Sequence, residues 1–308
     1  MPLFQAIVLA IVQGLTEFLP ISSTAHLWLV PWLLGWKDPG LTFDVALHAG
    51  TLVAVLAYFW RYWVEMVAMA VGLMNAAKLR DTTPSPPAPL PQGGDGEHAL
   101  NSPAAGSASH SARADLRQNP KLLWYLAIAT IPAALAGWRF EHAAEEQLRS
   151  PIIIGIALIV IGLFMWAGDW LGKRENDLGH VGFLDSFLVG VAQALAVIPG
   201  VSRSGVTMTA GLFRRMKRET AARFSFLLST PIIAGAALKK GLEIRHTGLP
   251  HDMRLPFLCG ALVSAFVGYL VIAVLIRYLE RRSFKLFVVY RIVLGVILLV
   301  LGWGLRHV

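Results

Sequence analysis

Gln193-Ala-Leu-Ala-Val-Ile-Pro199-Gly200-Val-Ser202-Arg203-Ser204-Gly205-Val-Thr207 interrupts an apolar stretch with a proline, hydroxyl residues and an arginine, after which the chain turns apolar again. A second break of this kind lies near the start, at Gln13-Gly-Leu-Thr-Glu17-Phe-Leu-Pro20-Ile-Ser22-Ser23-Thr24-Ala-His26. An offset of 180 residues lays Gln13 on Gln193, Leu15 on Leu195 and Ser22-Ser23-Thr24 on Ser202-Arg203-Ser204. The chain reads as an internal duplication. Each copy places an ionisable group with hydroxyls at the depth of an apolar segment, where a charge costs at least a few kcal/mol and by default marks a function. The two breaks are read as halves of one site.

Composition sets these breaks in a bilayer. Of 308 residues 56% are hydrophobic and only 15% charged, with a mean hydropathy of +0.59, whereas soluble domains carry about 25% charged residues. Ile152 to Trp170, Phe257 to Ile276 and Leu286 to Leu305 each approach the ~20 residues that cross a ~30 Å hydrocarbon core. Met1 to Leu19 has no basic leader or Ala-x-Ala site and contains Gln13 and Glu17, so it reads as working protein rather than a secretory signal. The single cysteine, Cys259, lies in an apolar run and reads as packing. A net charge of +8 could suggest nucleic acid, but basic residues of membrane proteins collect in cytoplasmic loops, and nucleic acid is not an expected partner.

The expected fold is an all-α polytopic membrane protein, an inverted repeat of two halves, each a re-entrant helix hairpin plus three transmembrane helices. The first repeat, 1–171, holds a hairpin over 3–35 and spans near 43–60, 122–138 and 151–171. A Pro/Ser/Gly-rich segment at 82–114 reads as a disordered, solvated loop. The second repeat, 182–305, holds a hairpin over 184–213 and spans near 221–238, 257–277 and 286–305. If Arg61 to Lys78 extends the third helix rather than crossing again, each half crosses an odd number of times and the halves are inverted. Basic residues then fall seventeen to one face and eight to the other, the bias of a cytoplasmic face. Both termini would lie outside, and the two hairpin tips would meet around a wet cavity, where non-helical backbone is tolerated at membrane depth.

Residue types at the tips suit an anion. The fork of Arg203 matches phosphate or carboxylate, Gly200 and Gly205 permit tight turns, and Ser202, Ser204, Thr207 and the N–H groups opening the next helix add donors. Arg203 could also snorkel or pair with a buried carboxylate. Glu17 follows Gln13 by one helical turn, and could pair with Arg203, move a proton or hold a divalent cation. His26, three residues past Ser23, could act as general acid or base, form a phosphohistidine, or be a hydrogen-bonded packing residue. His48 and Arg291 are further ionisable groups in apolar runs, read as supporting or packing residues.

The blocks at 13–26 and 199–207, with Phe43-Asp-Val-Ala-Leu-His-Ala-Gly50 and Arg223-Phe-Ser-Phe-Leu-Leu-Ser-Thr-Pro231, closely resemble bacterial undecaprenyl-diphosphate phosphatase of the bacitracin-resistance type. The resemblance implies hydrolysis of undecaprenyl diphosphate to undecaprenyl phosphate, recycling the lipid carrier of cell-wall synthesis. It places the protein in the bacterial plasma (inner) membrane with its site open to the outer face. The family's motif positions fall on Gln13, Glu17, Ser23 and His26, and on Ser202, Arg203, Ser204 and Thr207. Gln13 stands where many members have Glu, and Ala25 replaces a more usual Gly.

On this reading Glu17, Ser23, His26 and Arg203 are catalytic. Gln13, Ser22, Thr24, Gln193, Gly200, Ser202, Ser204, Gly205 and Thr207 bind substrate. Ser23, His26 or water is the nucleophile. A divalent cation (Mg or Ca) near Glu17 is implied, although no ligand-spacing motif identifies one. Expected partners are a polyprenyl diphosphate lipid and the bilayer, and a homodimer is left open. The alternative is a lipid-phosphate flippase or anion transporter on the same inverted repeat, which would need an anion site but no nucleophile.

Overall fold

The structure is a computed structural model that describes residues 1–37, 40–72, 115–146, 148, 150–248 and 251–304. The loop expected at 82–114 lies outside the described residues. The helices are α1 (Leu3–Phe18), α2 (Ser23–Leu33), α3 (Leu41–Tyr58), α4 (Trp60–Ala70), α5 (Leu122–Glu146), α6 (Pro151–Leu171), α7 (Phe183–Ala194), α8 (Arg203–Phe213), α9 (Arg218–Thr247), α10 (His251–Arg281) and α11 (Lys285–Gly304). Among the described residues there is no strand beyond one parallel bridge between Asn176 and Met216.

Five of these helices, α5, α6, α9, α10 and α11, are long and apolar enough to cross a bilayer, with mean hydropathies from 1.3 to 2.5. Their surface is inverted relative to a soluble bundle. On α6 the small or slim residues Gly155, Leu158, Gly162 and Met165 are buried, while Leu163, Phe164, Trp166 and Trp170 face outward. An apolar exterior of this extent is the face a lipid solvent covers. Lipid gives no hydrophobic drive between helices, so close packing of small residues must hold them. A Cβ added at Gly155 would lie 2.8 Å from Gly295 O, so α6 and α11 touch backbone to backbone there. The protein is thus an all-α, multi-pass membrane protein.

Several helices run past the expected apolar limits because their polar ends continue the hydrogen-bond ladder: α9 spans 30 residues and α10 31. The chain beyond Tyr58 does not extend α3 in line. It turns through 70° at Phe59 into α4, and only the bent pair together passes as a sixth candidate span. Phe59 is wholly buried and packs edge-on against Tyr62, at 5.3 Å between centroids, with Phe226 of α9 6.4 Å away, so packing against α9 holds the bend. Four helices, α1, α2, α7 and α8, have 16, 11, 12 and 11 residues, short of the ~20 that a crossing needs. These carry the two sequence breaks. α10 packs along both α1 and α3, α8 lies against α6, α7 and α9, and the breaks are enclosed between them.

Candidate active site

Both breaks fold into the same local structure. Ser22 and Ser202 each sit at positive φ, 76° and 67°, and each caps the helix that follows. Ser22 Oγ accepts from Ala25 N and Ser202 Oγ from Gly205 N. A non-glycine residue in the left-handed region is strained and tends to mark a functional site. The caps open α2 and α8 toward one cavity of about 350 Å³, lined by Glu17, Ser22, Ser23, Thr24, Gln193, Gly200, Ser202 and Arg203 from the two breaks. Asp44 and His48 of α3 line it as well. Two helix N-termini facing one cavity make a concentration of N–H donors suited to an anion.

Glu17 joins the breaks. Its Oε1 accepts from Arg203 Nη2 at 2.6 Å, and its Oε2 accepts from Ser23 Oγ at 2.7 Å and Gln13 Nε2 at 3.1 Å. His48 Nε2 stands 3.5 Å from the same Oε2. The Arg203 guanidinium makes no other hydrogen bond among the described residues, so the rest of its fork is open to an anion. Gln193 is buried with neither amide atom partnered, and it lines the cavity. Such an orphaned buried amide calls for a partner, which a polar ligand would supply.

Arg291 of α11 holds the broken backbone in place. It is wholly buried and donates to main-chain carbonyls: Pro20 O at 3.0 Å from the first break, Gly200 O and Val201 O at 3.0 Å from the second, and Leu158 O and Ala157 O of α6. Unwound backbone at membrane depth has carbonyls with no water to donate to them, and a five-donor guanidinium satisfies several at once. Gly205 leaves the room, since a Cβ there would lie 2.9 Å from Arg291 Nη1.

The sequence matches known proteins along almost its whole length. The family model described as bacitracin resistance protein BacA covers residues 6–297. An undecaprenyl-diphosphatase of Moorella thermoacetica is 47% identical over 304 residues, covering 98% of this chain and 99% of that protein. Proteins of the same name from Pelotomaculum thermopropionicum and Alcanivorax borkumensis are 46% and 44% identical, and in each pair both chains are covered to 96% or more. The chain belongs to the bacitracin resistance protein BacA family. Within this chain, the expected site residues divide into three groups by position.

Glu17, Ser22, Ser23, Thr24, Gln193, Gly200, Ser202 and Arg203 share the cavity wall. Gln13, Ser204, Gly205 and Thr207 lie behind it as supports. Ser204 Oγ donates toward Glu17 O and Leu19 O, both at 3.1 Å, and Thr207 Oγ1 donates to Arg203 O at 2.7 Å and meets Ser225 Oγ. His26 stands apart. Its Nδ1 donates to Ser22 O at 2.7 Å, its Nε2 accepts from Tyr290 Oη at 2.6 Å, and it stacks on that ring outside the cavity lining. The helical turn explains this: Ser23, Thr24, Leu27 and Trp28 form the cavity face of α2, and at ~100° per residue His26 points about 130° away from its centre. His48 takes the place beside Glu17 instead. Its sequence signal was the Asp44-x-x-x-His48 spacing, which sets both on one face of α3.

The carboxylate that the sequence offers to a metal is committed to Arg203, Ser23 and Gln13. Among the described residues no group of three His, Cys, Asp or Glu is placed to hold an ion. The guanidinium 2.6 Å from Oε1 supplies the positive charge at that point.

Proposed function

We propose that this protein is an undecaprenyl-diphosphate phosphatase, releasing inorganic phosphate from undecaprenyl diphosphate and leaving undecaprenyl phosphate for reuse in cell-wall synthesis. The observation that carries this reading is Glu17 set between Arg203 at 2.6 Å and Ser23 at 2.7 Å, on the wall of the cavity where α2 and α8 begin. Family membership supplies the substrate, since the relatives are named for it. The polyprenyl tail lies against apolar surface, and the diphosphate enters between the two helix starts.

Phosphoryl transfer demands positioning and charge neutralisation above all. Arg203 and the N–H groups at the starts of α2 and α8 take the terminal phosphate, and Gln193 donates its amide to a phosphate oxygen. Ser23 Oγ, hydrogen-bonded to Glu17, is the nucleophile, and Glu17 draws its proton as the bond to phosphorus forms. His26, facing Tyr290, orients the turn at Ser22 rather than meeting the substrate. A divalent cation, Mg or Ca, would have Glu17 as the carboxylate nearest the diphosphate and would supply further neutralisation of its charge. The site opens to the outer face of the plasma membrane, the face opposite the seventeen basic residues. A carrier would need the anion site but not a serine bonded to a carboxylate, so that contact favours the phosphatase.

Phosphate release from undecaprenyl diphosphate by the detergent-purified protein tests this reading. Turnover by the parent, lost in Ser23→Ala and Arg203→Ala proteins of unchanged thermal stability, is expected. A folded parent that releases no phosphate with any divalent cation overturns it.

A further inference from the structure

The mechanism above leaves the proton from Ser23 on Glu17, and the fourth neighbour of that carboxylate is unused. His48 Nδ1 lies 2.7 Å from Asp44 O, and a carbonyl only accepts, so Nδ1 carries a proton. In the neutral ring Nε2 then offers a lone pair, and this lone pair stands 3.5 Å from Glu17 Oε2, the oxygen that accepts from Ser23 Oγ. A carboxylate oxygen and an imidazole nitrogen that face each other at this separation can exchange a proton, since such contacts tighten in the reacting complex. Ser23 on α2, Glu17 on α1 and His48 on α3 therefore stand in series, from hydroxyl through carboxylate to imidazole.

We infer that His48 is the final proton acceptor of the reaction, a positioning and relay residue acting through Glu17; this rests on the phosphatase reading. As Ser23 Oγ bonds to the terminal phosphorus, the bridging P–O bond breaks and its electron pair leaves on undecaprenyl phosphate. The serine proton passes to Glu17 Oε2 and on to His48 Nε2, leaving an imidazolium against a carboxylate. Water then attacks the phosphoserine. The P–Oγ bond breaks, the relay returns its proton to Ser23 Oγ, and the water's protons depart on inorganic phosphate. The titratable and charged groups facing His48 across the cavity are Glu17 from α1, Arg203 from α8 and Asp44 from its own helix. α9 brings Ile232, Ile233 and Ala236. α10, on the far side of α3, brings Ser264 Oγ to Leu47 O at 2.8 Å. His26 cannot fill this role, because both of its ring nitrogens are taken by Ser22 and Tyr290.

The test compares kcat and KM for undecaprenyl diphosphate in the parent, His48→Ala and His48→Gln, with and without added imidazole. Glutamine keeps a hydrogen-bonding side chain but cannot carry a proton. Both variants are expected to lose roughly 100-fold or more in kcat, with KM changed less than about threefold, and imidazole should restore His48→Ala saturably while leaving His48→Gln unaided. Should His48→Ala fail to fold, His48→Gln decides alone. Parental kcat in His48→Gln, a change confined to KM, or a folded His48→Ala that imidazole does not rescue overturns the relay while leaving the phosphatase standing. An inactive parent overturns the phosphatase reading itself.

Discussion

Single residues here act through pairs of contacts that no local rule would assign. Ser202, at φ 67°, combines a left-handed backbone with a cap on Gly205 N. Alanine there loses the cap, about 1 kcal/mol, and keeps the left-handed strain, whereas glycine loses only a few tenths of a kcal/mol at the cap and relieves the strain. Thermal unfolding should therefore rank the parent close to Ser202→Gly and both above Ser202→Ala. The outcome that counts against the assignment is an alanine variant as stable as the glycine one. His26 makes a parallel case. Removing it, or removing the Tyr290 hydroxyl in Tyr290→Phe, breaks the same 2.6 Å bond, so the two variants should lower Tm together and their effects should overlap when combined. Additive effects in the double mutant would show that the bond does not couple them.

Among the elements, the two short-helix breaks depend on α11, which lies far from both in sequence. Arg291 donates to carbonyls of both breaks and of α6, and each carbonyl orphaned at that depth costs about 1–3 kcal/mol. Arg291→Lys keeps the charge but not the planar fork, and should lower Tm and abolish phosphate release together, with Arg291→Met worse. Full activity in Arg291→Lys would mean that the breaks hold their shape unaided. Gly205→Ala probes the same junction from the other side, since its Cβ would lie 2.9 Å from Arg291 Nη1 and 3.1 Å from Ser202 Cβ. Its expected effect is a large fall in kcat with the helices still folded, read by activity beside far-UV circular dichroism. The apolar windows of α5, α6, α9, α10 and α11 were plain in the sequence because a bilayer requires long runs of side chains that need no water. The 70° turn at Phe59 was not, because it has no proline or glycine to mark it and rests on packing against Phe226 of another helix.

For the molecule as a whole, the distribution of basic residues makes a topological prediction. With Cys259 replaced by serine, single cysteines placed at Arg174 or Lys217 should react only with reagent admitted to the cytoplasmic side. One placed at Gly35, by the start of the chain, should react from outside. The reverse pattern would invert the proposed orientation and turn the cavity inward. Composition and hydropathy alone determined that this chain is a multi-pass helical membrane protein, and its two polar breaks alone announced that charge lies at membrane depth. Those features are local, written in runs and spacings. The repeated hydroxyl residues at 22–24 and 202–204 were likewise legible, since an offset of 180 residues lays one run on the other, but that Ser22 and Ser202 cap the helices that follow was seen only in the structure. What only the tertiary structure decided is which ionisable groups meet. Glu17 and Arg203 are 186 residues apart in the chain, and His26 and Tyr290 are 264 apart. His48 rather than His26 faces the carboxylate because helix packing fixes which side of α2 and which side of α3 turn to the cavity. The spacing within one helix defines a face, and only its neighbours determine where that face points.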